Sequence, residues 1–380
     1  MSGERLRIAI LGTRGIPARY GGFETFAERL ALGLVARGMD VTVYAEGLSG
    51  DPSGDRDYHG ICVRPVVPWR VGRASVLAYD VQCLWDARRD FDVVYMLGYG
   101  AAWACWLPRL SGARVWINID GLEWARSKWG PWVRRYLRLM EGVAARVAHR
   151  VVADAKAIQT HYIQSYPLGA PSTFIPYGAE IPQTVSPDSA LVALGLVPRA
   201  FLLVIARMEP ENHVLEIIDG HALWGGAWPL VIVGDAHANT PFCARLRAQG
   251  GERVRFLGAV YEPDLLAALR TRCRAYLHGH SVGGTNPSLI EAMACGCQVI
   301  AHDNVFNREV LGPQGEFFGS VSELAAALHA LEGESHHDRQ AKRRDAVDRV
   351  RAQYTWEGVI DSYVSVIEQD LPGRMARRIA

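Results

Sequence analysis

Short apolar runs alternate with amphipathic stretches along the first half of the chain. The runs have the length of buried strands, and they read LRIAILG, DVTVYAE, ICVRPVV, FDVVYMLG, ARVWINID, HRVVADA and STFIPYG. After the first run, residues 24–37 place Phe26, Leu30 and Leu34 on a period near 3.6, which predicts a helix. Strand, helix and strand in repetition indicate a parallel sheet that is covered on both faces by helices.

A second alternating set follows an interruption that contains Pro182, Pro187 and Pro198. Its apolar runs read FLLVIAR, PLVIVGD, VRFLGAV, RAYLHGH, CQVIAHD and GEFFG. We therefore predict an α/β fold of two Rossmann-like, doubly wound domains, at residues 1–182 and 183–350. A C-terminal helix within residues 351–380 is expected to pack back on the first domain. Two such domains would face a central cleft and bind ligands at the carboxyl ends of their strands.

Composition narrows the class of protein further. The 380 residues are 49% hydrophobic and 21% charged, with a formal net charge of +1, so no basic field favours nucleic acid as a partner. The seven cysteines include no C-x-x-C pair, which is typical of reduced thiols in a cytosolic protein. No secretory signal is visible, and no apolar stretch approaches the roughly 20 residues of a membrane span. We expect a cytoplasmic protein.

Two D-x-D triplets occur, at residues 55–57 and 90–92. Such a triplet holds a divalent metal in some sugar-transfer enzymes. Here the first lies in a predicted polar loop and the second at the amino end of a strand, so both are read as structural. No spacing of histidines and cysteines gives a metal site, and no bound metal is expected.

The loop after the first apolar run is rich in glycine and reads LGTRGIPARYGGFE. It is too long for the tight turn of a G-x-G-x-x-G dinucleotide site. Arg14, Gly21 and Gly22 lead into a helix that carries Glu24 in its first turn, where free N–H groups can hold a phosphate or a sugar hydroxyl. The alternative is a flexible loop with a helix-capping glutamate.

Acids, cations and tryptophans concentrate after the fifth apolar run. The residues of interest there are Asp120, Glu123, Trp124, Arg126 and Lys128. Acids at the carboxyl end of a strand suit general base catalysis or sugar-hydroxyl binding, and tryptophan rings can stack on sugar rings. The alternative is a packed helix edge with solvated charges.

Two stretches of the second half indicate a site for a diphosphate and a ribose. Arg207 stands at the end of a predicted strand, where it can clamp a diphosphate or form a surface salt bridge. The segment GHSVGGTNPSLIEAMACG turns from glycines into a helix at Pro287, which makes an anion site or a plain capped helix. Glu291 lies one turn inside and could accept the ribose hydroxyls, and His280 could contact phosphate.

Combined, these motifs resemble a known family. ARMEPEN, FLGAV and GGTNPSLIEAMACGCQVIA are similar to the nucleotide-binding domain of GT-B glycosyltransferases of family 4. RIAILGTRGIPARYGGFETFAERLA, NIDGLEWARSKW and VVADAKAIQTHYI look closer to the branch that includes rhamnosyltransferases of bacterial capsule and exopolysaccharide assembly. The resemblance implies sugar transfer from a nucleotide diphosphate with retention at the anomeric carbon, without a cofactor or an essential metal.

The resemblance also implies roles for individual residues. Arg207 matches the arginine that binds the diphosphate, and Glu291 matches the ribose-binding second glutamate of an E-x7-E pair. Asp120 stands about where many relatives carry a histidine of the catalytic site. The glycine loop of the first domain is matched by Gly21 and Gly22. The phosphate loop of the second domain is matched by Gly284, Thr285, Asn286, Pro287 and Ser288.

Two positions depart from the family pattern. The first glutamate of E-x7-E falls at Gly283, and the lysine that usually accompanies the diphosphate-binding arginine falls at Asn212. These changes remove a carboxylate and a cation from the region of the sugar and the phosphates, so family-wide assignments at both positions do not transfer.

The sequence therefore predicts a retaining glycosyltransferase that moves rhamnose from dTDP-rhamnose, with UDP- and GDP-sugars as alternatives. The acceptor would be a glycan or a polyprenyl-linked glycan. Other hypotheses are a nucleotide-sugar epimerase of the same architecture and a non-catalytic nucleotide-sugar-binding protein. Arg134, Arg135 and Arg138 beside Trp129 and Trp132 would form a peripheral membrane contact or a solvated helix face.

Overall fold

The structure is a computed structural model that describes residues 5–18, 21–47, 54–119, 121–126, 128–183, 188–236 and 240–372. It divides into two compact units. Unit 1 comprises Met1–Tyr177 together with Trp356–Ala380, and unit 2 comprises Gly178–Thr355. The chain thus leaves unit 1 once and returns to it at its C-terminal end.

Unit 1 contains an eight-stranded sheet in the order β3-β4-β2-β1-β5-β6-β7-β8. Its strands are β1 Arg7–Leu11, β2 Asp40–Glu46, β3 Arg56–Tyr58, β4 Ile61–Val66, β5 Val93–Leu97, β6 Arg114–Asn118, β7 Arg150–Ala153 and β8 Ser172–Phe174. Its first helices are α1 Gly22–Ala36, α2 Ser75–Asp86, α3 Trp106–Leu110, α4 Pro131–Val147 and α5 Lys156–Ser165. The strands pair in parallel except β3, which is antiparallel to β4 at the edge.

Unit 2 contains a six-stranded parallel sheet in the order β11-β10-β9-β12-β13-β14. Its strands are β9 Leu202–Ile205, β10 Leu230–Val233, β11 Val254–Gly258, β12 Ala275–His278, β13 Val299–His302 and β14 Glu316–Phe318. Its helices are α6 Ser189–Ala193, α7 Val214–Trp224, α8 Pro241–Gln249, α9 Pro263–Arg272, α10 Pro287–Ala294, α11 Val305–Leu311, α12 Val321–Gly333 and α13 His336–Gln353.

The central strands are buried because helices cover both faces of each sheet. Every residue of β5 and of β10 is buried, which explains why these segments read as continuous apolar runs without alternation. The core of unit 2 packs α7 and α12 on β9, β10 and β12. The α/β fold with parallel, doubly wound sheets, predicted from the alternation of runs, is confirmed in both units.

The last helix, α14 Trp356–Asp370, belongs to unit 1 and packs against α1. Buried aromatic rings join it to the sheet: the Tyr363 hydroxyl lies 2.8 Å from the Tyr95 hydroxyl, and the Tyr363 ring contacts Phe26 of α1. At its far end, Asp370 accepts hydrogen bonds from Arg150 and from the indole N–H of Trp116. Residues of unit 1 therefore anchor α14 at its middle and at its C-terminal end.

One local prediction is wrong. Residues 55–57 were expected in a polar loop, but Arg56 and Asp57 lie in the edge strand β3. The Asp55 carboxylate accepts hydrogen bonds from Arg64 of β4, which also hold the pKa of Asp55 below its ordinary value. An edge strand of three residues with charged side chains gives no apolar period, so the sequence pattern could not reveal it.

Helix length bears on membrane insertion. Within the ranges that the structure describes, every helix is too short or too polar to cross a membrane.

The strand orders place one topological switch point in each sheet. In unit 1 the chain winds outward in one direction from β1 and in the other from β5, and in unit 2 the same reversal occurs between β9 and β12. Loops at the carboxyl ends of two such strands diverge and leave room for a ligand. The segments predicted to bind ligands follow β1, β6, β9 and β12, at the carboxyl edges of the two sheets.

The packing of α14 on α1 requires a glycine. A Cβ atom at Gly33 would lie 2.2 Å from Cδ1 and 2.9 Å from Cγ2 of Ile360, so the β-branched side chain could not simply turn away. We expect Gly33→Ala to lower the free energy of unfolding by about 1–3 kcal/mol, measured by urea denaturation. Gly333→Ala, where an added Cβ meets open space, is the matched control. Recovery of stability in the Gly33→Ala/Ile360→Ala double variant would identify the contact, and its absence would contradict this explanation.

Candidate functional site

The loops after β9 and β12 form the best-defined candidate site. Residues 206–213 lead from β9 through a short 3-10 helix, Pro210–Asn212, into α7. Residues 279–286 lead from β12 into α10. Because β9 and β12 are adjacent at the switch point of the sheet, the two loops lie side by side.

Backbone contacts hold these two loops together. A Cβ atom at Gly279 would lie 2.0 Å from the carbonyl oxygen of Asn212, so a residue with a side chain cannot occupy position 279 without moving the loop. The backbone N–H and the hydroxyl of Ser281 each donate a hydrogen bond of 3.0 Å to the carbonyl of Glu211. The loops therefore form one rigid surface at the strand ends.

Asn212 has a structural role in this surface. Its side chain is buried, and Nδ2 donates a hydrogen bond of 2.7 Å to the carbonyl of Arg207. Its backbone N–H donates to the carbonyl of Glu209 at 3.0 Å. Asn212 thus fixes the turn that carries Arg207.

Arg207 itself points to solvent. Its side chain is 60% exposed, and its nearest counter-charge is Glu209, with Nη2 to Oε2 at 3.5 Å. A pair of this length and exposure contributes little energy, so an incoming phosphate can displace it. The guanidinium is therefore positioned by its backbone and remains available for an anion.

The start of α10 lies where the sequence predicts it, at Pro287. Asn286 is the N-cap residue, and its Oδ1 accepts from the backbone N–H and the hydroxyl of Ser288 at 3.0 and 2.9 Å. The Tyr276 hydroxyl of β12 contacts both the Ser288 hydroxyl and the carbonyl of Ile205 in β9. The helix terminus is therefore tied to both central strands.

Three further residues of this loop differ in exposure, and one of them has an unusual backbone conformation. Thr285 is buried, whereas Gly283 and Gly284 are half-buried. Gly283 has φ +120°, and among the residues that the structure describes no neighbouring atom lies within 4 Å of an added Cβ.

Glu291 forms an ion pair with Arg270, a residue that the sequence analysis missed. Arg270 lies on α9, and its Nη2 contacts Oε2 of Glu291. The guanidinium is almost fully buried, whereas the carboxylate is about one-third exposed. An arginine 21 positions upstream, in a helix with several arginines, gives no sequence signal that links it to Glu291.

Histidine rings stack beside the same loop. His280 stacks on His278 with a centroid distance of 4.7 Å, and His213 stacks on His302 at 4.0 Å. Burial, together with the charge of His302, lowers the pKa of His278 to about 3, so this ring is neutral at physiological pH. The His280 carbonyl accepts hydrogen bonds from Asn304 and Asn307, which fixes the chain at the end of β12.

In unit 1, the loop after β1 is anchored by the acids of α1. Glu24 is buried, and its Oε1 accepts a hydrogen bond of 3.1 Å from the backbone N–H of Arg14. Gly21 is the N-cap residue of α1, and Gly22 is its first residue. The Arg14 side chain is exposed. The carboxylate of Glu24 therefore holds the loop by accepting a hydrogen bond from the loop backbone.

Glu123 contacts several polar side chains in the loop after β6. Its carboxylate lies 2.5 Å from Nε of Arg126 and 3.2 Å from Nζ of Lys128, and it accepts from the indole N–H of Trp129 at 3.0 Å. Its backbone N–H donates to the hydroxyl of Tyr99. Three of the candidate residues after the fifth apolar run, Glu123, Arg126 and Lys128, are thus brought together as one ion-pair cluster.

Trp124 is held by contacts that the sequence analysis did not identify. Its indole N–H donates a hydrogen bond of 2.6 Å to the buried carboxylate of Glu141, which also lies 2.9 Å from Nε2 of His161. The guanidinium of Arg138 covers the indole at 4.1 Å. One ring face is therefore already occupied. Asp120 lies outside the described residues.

The described residues contain no group of three or more histidine, cysteine or acidic side chains that could hold a metal ion. The acids of the two D-x-D triplets make other contacts: Asp55 pairs with Arg64, and Asp92 accepts from the backbone N–H of Arg7.

Comparisons with known proteins agree with this division of the chain. Residues 6–180 match the family described as a domain of unknown function, DUF1972, and residues 195–346 match "Glycosyl transferases group 1". No curated protein matches the sequence.

Solved structures match almost the whole chain. Sucrose-phosphate synthase from Thermosynechococcus elongatus has a TM-score of 0.82 at 16% identity, covering 97% of this chain and 100% of its own. HepE from Anabaena, solved with UDP and glucose, has a TM-score of 0.74 at 19% identity, covering 96% and 100%. A glycosyltransferase from Rickettsia africae has a TM-score of 0.74 at 14% identity, covering 97% and 99%.

The fold is therefore GT-B, and unit 2 carries a glycosyltransferase group 1 domain that includes Arg207, the α10 terminus and Glu291. The class of protein that fold and domain define is a glycosyltransferase of the GT-B type.

The role of Asn212 can be tested by stability. We expect Asn212→Leu, which keeps the side-chain size but removes the amide, to lower the free energy of unfolding by about 1–2 kcal/mol, because the bond to the Arg207 carbonyl is lost in a buried position. Arg207→Gln, at the exposed end of the same turn, should change it by less than about 0.5 kcal/mol. Urea denaturation of both variants gives the comparison. Equal stabilities would show that Asn212 does not hold the turn.

Proposed function

We propose that the protein is a retaining glycosyltransferase of family 4 whose donor is a nucleotide diphosphate sugar, with dTDP-rhamnose as the expected donor. The observation that carries this proposal is the arrangement at β9 and β12: an exposed, backbone-positioned Arg207 beside a glycine-rich helix start and the acid Glu291. HepE, which shares the fold, was solved with UDP and glucose, which supports the ligand class.

The chemistry would follow from charge placement. The bond between the anomeric carbon and the diphosphate oxygen breaks, and the diphosphate leaves with the electron pair. Arg207 and the N-terminus of α10 would stabilise the developing negative charge. The acceptor hydroxyl attacks from the same face, and its proton passes to the departing phosphate oxygen. Glu291 would bind the ribose, and no step requires a metal.

The acceptor would bind to unit 1, where loops after β1 and β6 carry the Glu24 and Glu123 contacts. We expect a glycan or polyprenyl-linked glycan of a bacterial surface polysaccharide. This part of the proposal rests on the similarity of the first half to the rhamnosyltransferase branch.

Turnover of nucleotide sugars tests the proposal. With dTDP-, UDP- and GDP-sugars and a lipid-linked acceptor, we expect Arg207→Ala to lower kcat by about 100-fold or more, the size seen when a transition-state charge contact is removed. Glu291→Gln should mainly raise the KM of the donor. Arg308→Ala and Glu332→Gln, at exposed positions elsewhere in unit 2, are the controls.

Other outcomes would identify other functions. Near-wild-type rates in both site variants would refute the assignment. Release of an altered nucleotide sugar without any acceptor would identify an epimerase. Tight donor binding with no turnover on any acceptor would identify a non-catalytic binding protein, a role compatible with Gly283 and Asn212 at the family's acid and lysine positions.

We also propose that α4 of unit 1 contacts an anionic membrane surface, at the cytoplasmic face where lipid-linked acceptors are found. Trp132 is 82% exposed on this helix, and Leu139 and Arg135 are exposed as well. Trp103, from the 3-10 helix that packs on α4, is also exposed. Exposed tryptophans flanked by arginines are typical of helices that lie in the lipid headgroup region.

Vesicle co-sedimentation tests this contact. We expect binding to phosphatidylcholine vesicles that contain phosphatidylglycerol and loss of binding in Trp132→Glu/Leu139→Glu, because charges replace the apolar contact. Trp85→Glu, at an exposed tryptophan of α2, is the matched control. Binding that is independent of anionic lipid, or equal in all variants, would contradict the proposal.

A further inference from the structure

The ion pair between Arg270 and Glu291 joins a buried side chain to a more exposed one. The side chain of Arg270 is 10% exposed, and that of Glu291 is 35% exposed. The cation is therefore fixed in the protein interior, and the acid reaches from it towards solvent. A surface pair would show both partners exposed, and a structural interior pair would show both buried.

The backbone of Arg270 is itself held firmly. The thiols of Cys273 and Cys297 donate to its carbonyl at 3.2 and 3.0 Å. The next carbonyl, of Thr271, accepts from the buried Arg343 of α13 at 3.1 Å. The end of α9 is thus a fixed platform, and a guanidinium that extends from it has little freedom to move.

The pairing leaves one carboxylate oxygen of Glu291 available. Nη2 of Arg270 contacts Oε2, and no described residue donates a hydrogen bond to Oε1. Burial is the largest influence on the pKa of Arg270 and lowers it, but the negative charge of Glu291, together with Tyr276 and the nearby cysteines, outweighs burial and leaves the pKa raised. The contact with the buried guanidinium therefore restrains the carboxylate of Glu291 and leaves Oε1 for another partner.

We propose that Arg270 is a positioning residue that presents Oε1 of Glu291 to a ribose hydroxyl of the nucleotide. This inference rests on the proposed function, since it assigns Glu291 to the ribose. It adds a residue of α9 to the donor site. Recognition of the ribose then depends on Arg270, a residue that does not contact the nucleotide.

The test measures nucleotide binding by isothermal titration calorimetry, with UDP, dTDP and 2′,3′-dideoxy-UDP as probes. We expect Arg270→Met to weaken the binding of UDP about tenfold, the effect of losing one well-aligned hydrogen bond to a charged group. Binding of the dideoxy analogue, which has no ribose hydroxyl, should not change. Glu291→Gln should produce the same pattern, and the double variant should lose no more than either single variant.

Arg272→Met is the matched control, since Arg272 lies on the same helix but pairs with Asp188. Arg270→Lys, which keeps the charge without the planar fork, should give an intermediate loss and is used if Arg270→Met does not fold. If wild-type protein binds no nucleotide diphosphate, the proposed function fails. Two other outcomes refute only the role of Arg270. In the first, wild-type protein binds UDP and Glu291→Gln weakens this binding, whereas the Arg270 variants do not. In the second, the Arg270 variants weaken the binding of UDP and of the dideoxy analogue equally.

Discussion

The contact between the Asn212 carbonyl and Gly279 is the constraint on which the candidate site depends. It brings the loop after β9 against the loop after β12 with no side chain between them. The bonds from Ser281 to the Glu211 carbonyl join the two loops beside this contact. Arg207 and the start of α10 can then act on one ligand, although they are 80 residues apart in the sequence.

The two units use their charged residues differently. In unit 1, three carboxylates form contacts within the protein, and these contacts hold the loops after β1 and β6. The three belong to Glu24, Glu123 and Glu141. In unit 2, Arg207 remains exposed, and Glu291 keeps one oxygen towards solvent. A departing anion is stabilised by preorganised positive charge, and Arg207 offers such a charge at the surface of unit 2. This supports the proposal that the donor binds to unit 2.

Local sequence patterns predicted the fold and the start of the helix beside the candidate site. The apolar runs identified the buried parallel strands, and the glycine-to-proline transition placed the start of α10 at Pro287, because both signals are local. The partners Arg270 of Glu291 and Glu141 of Trp124 were not predictable, since they come from distant helices and depend on tertiary packing. The edge strand β3 was missed because it lacks an apolar face.

Gly283 has a consequence for how such a site can change over time. Its φ of +120° lies in a region that residues with a side chain rarely adopt, although the space in front of it is open. A glutamate introduced there would meet no steric obstacle but would strain the backbone, so the loop would have to change conformation first. A side chain at position 283 therefore requires a second change that lets the loop adopt another backbone conformation.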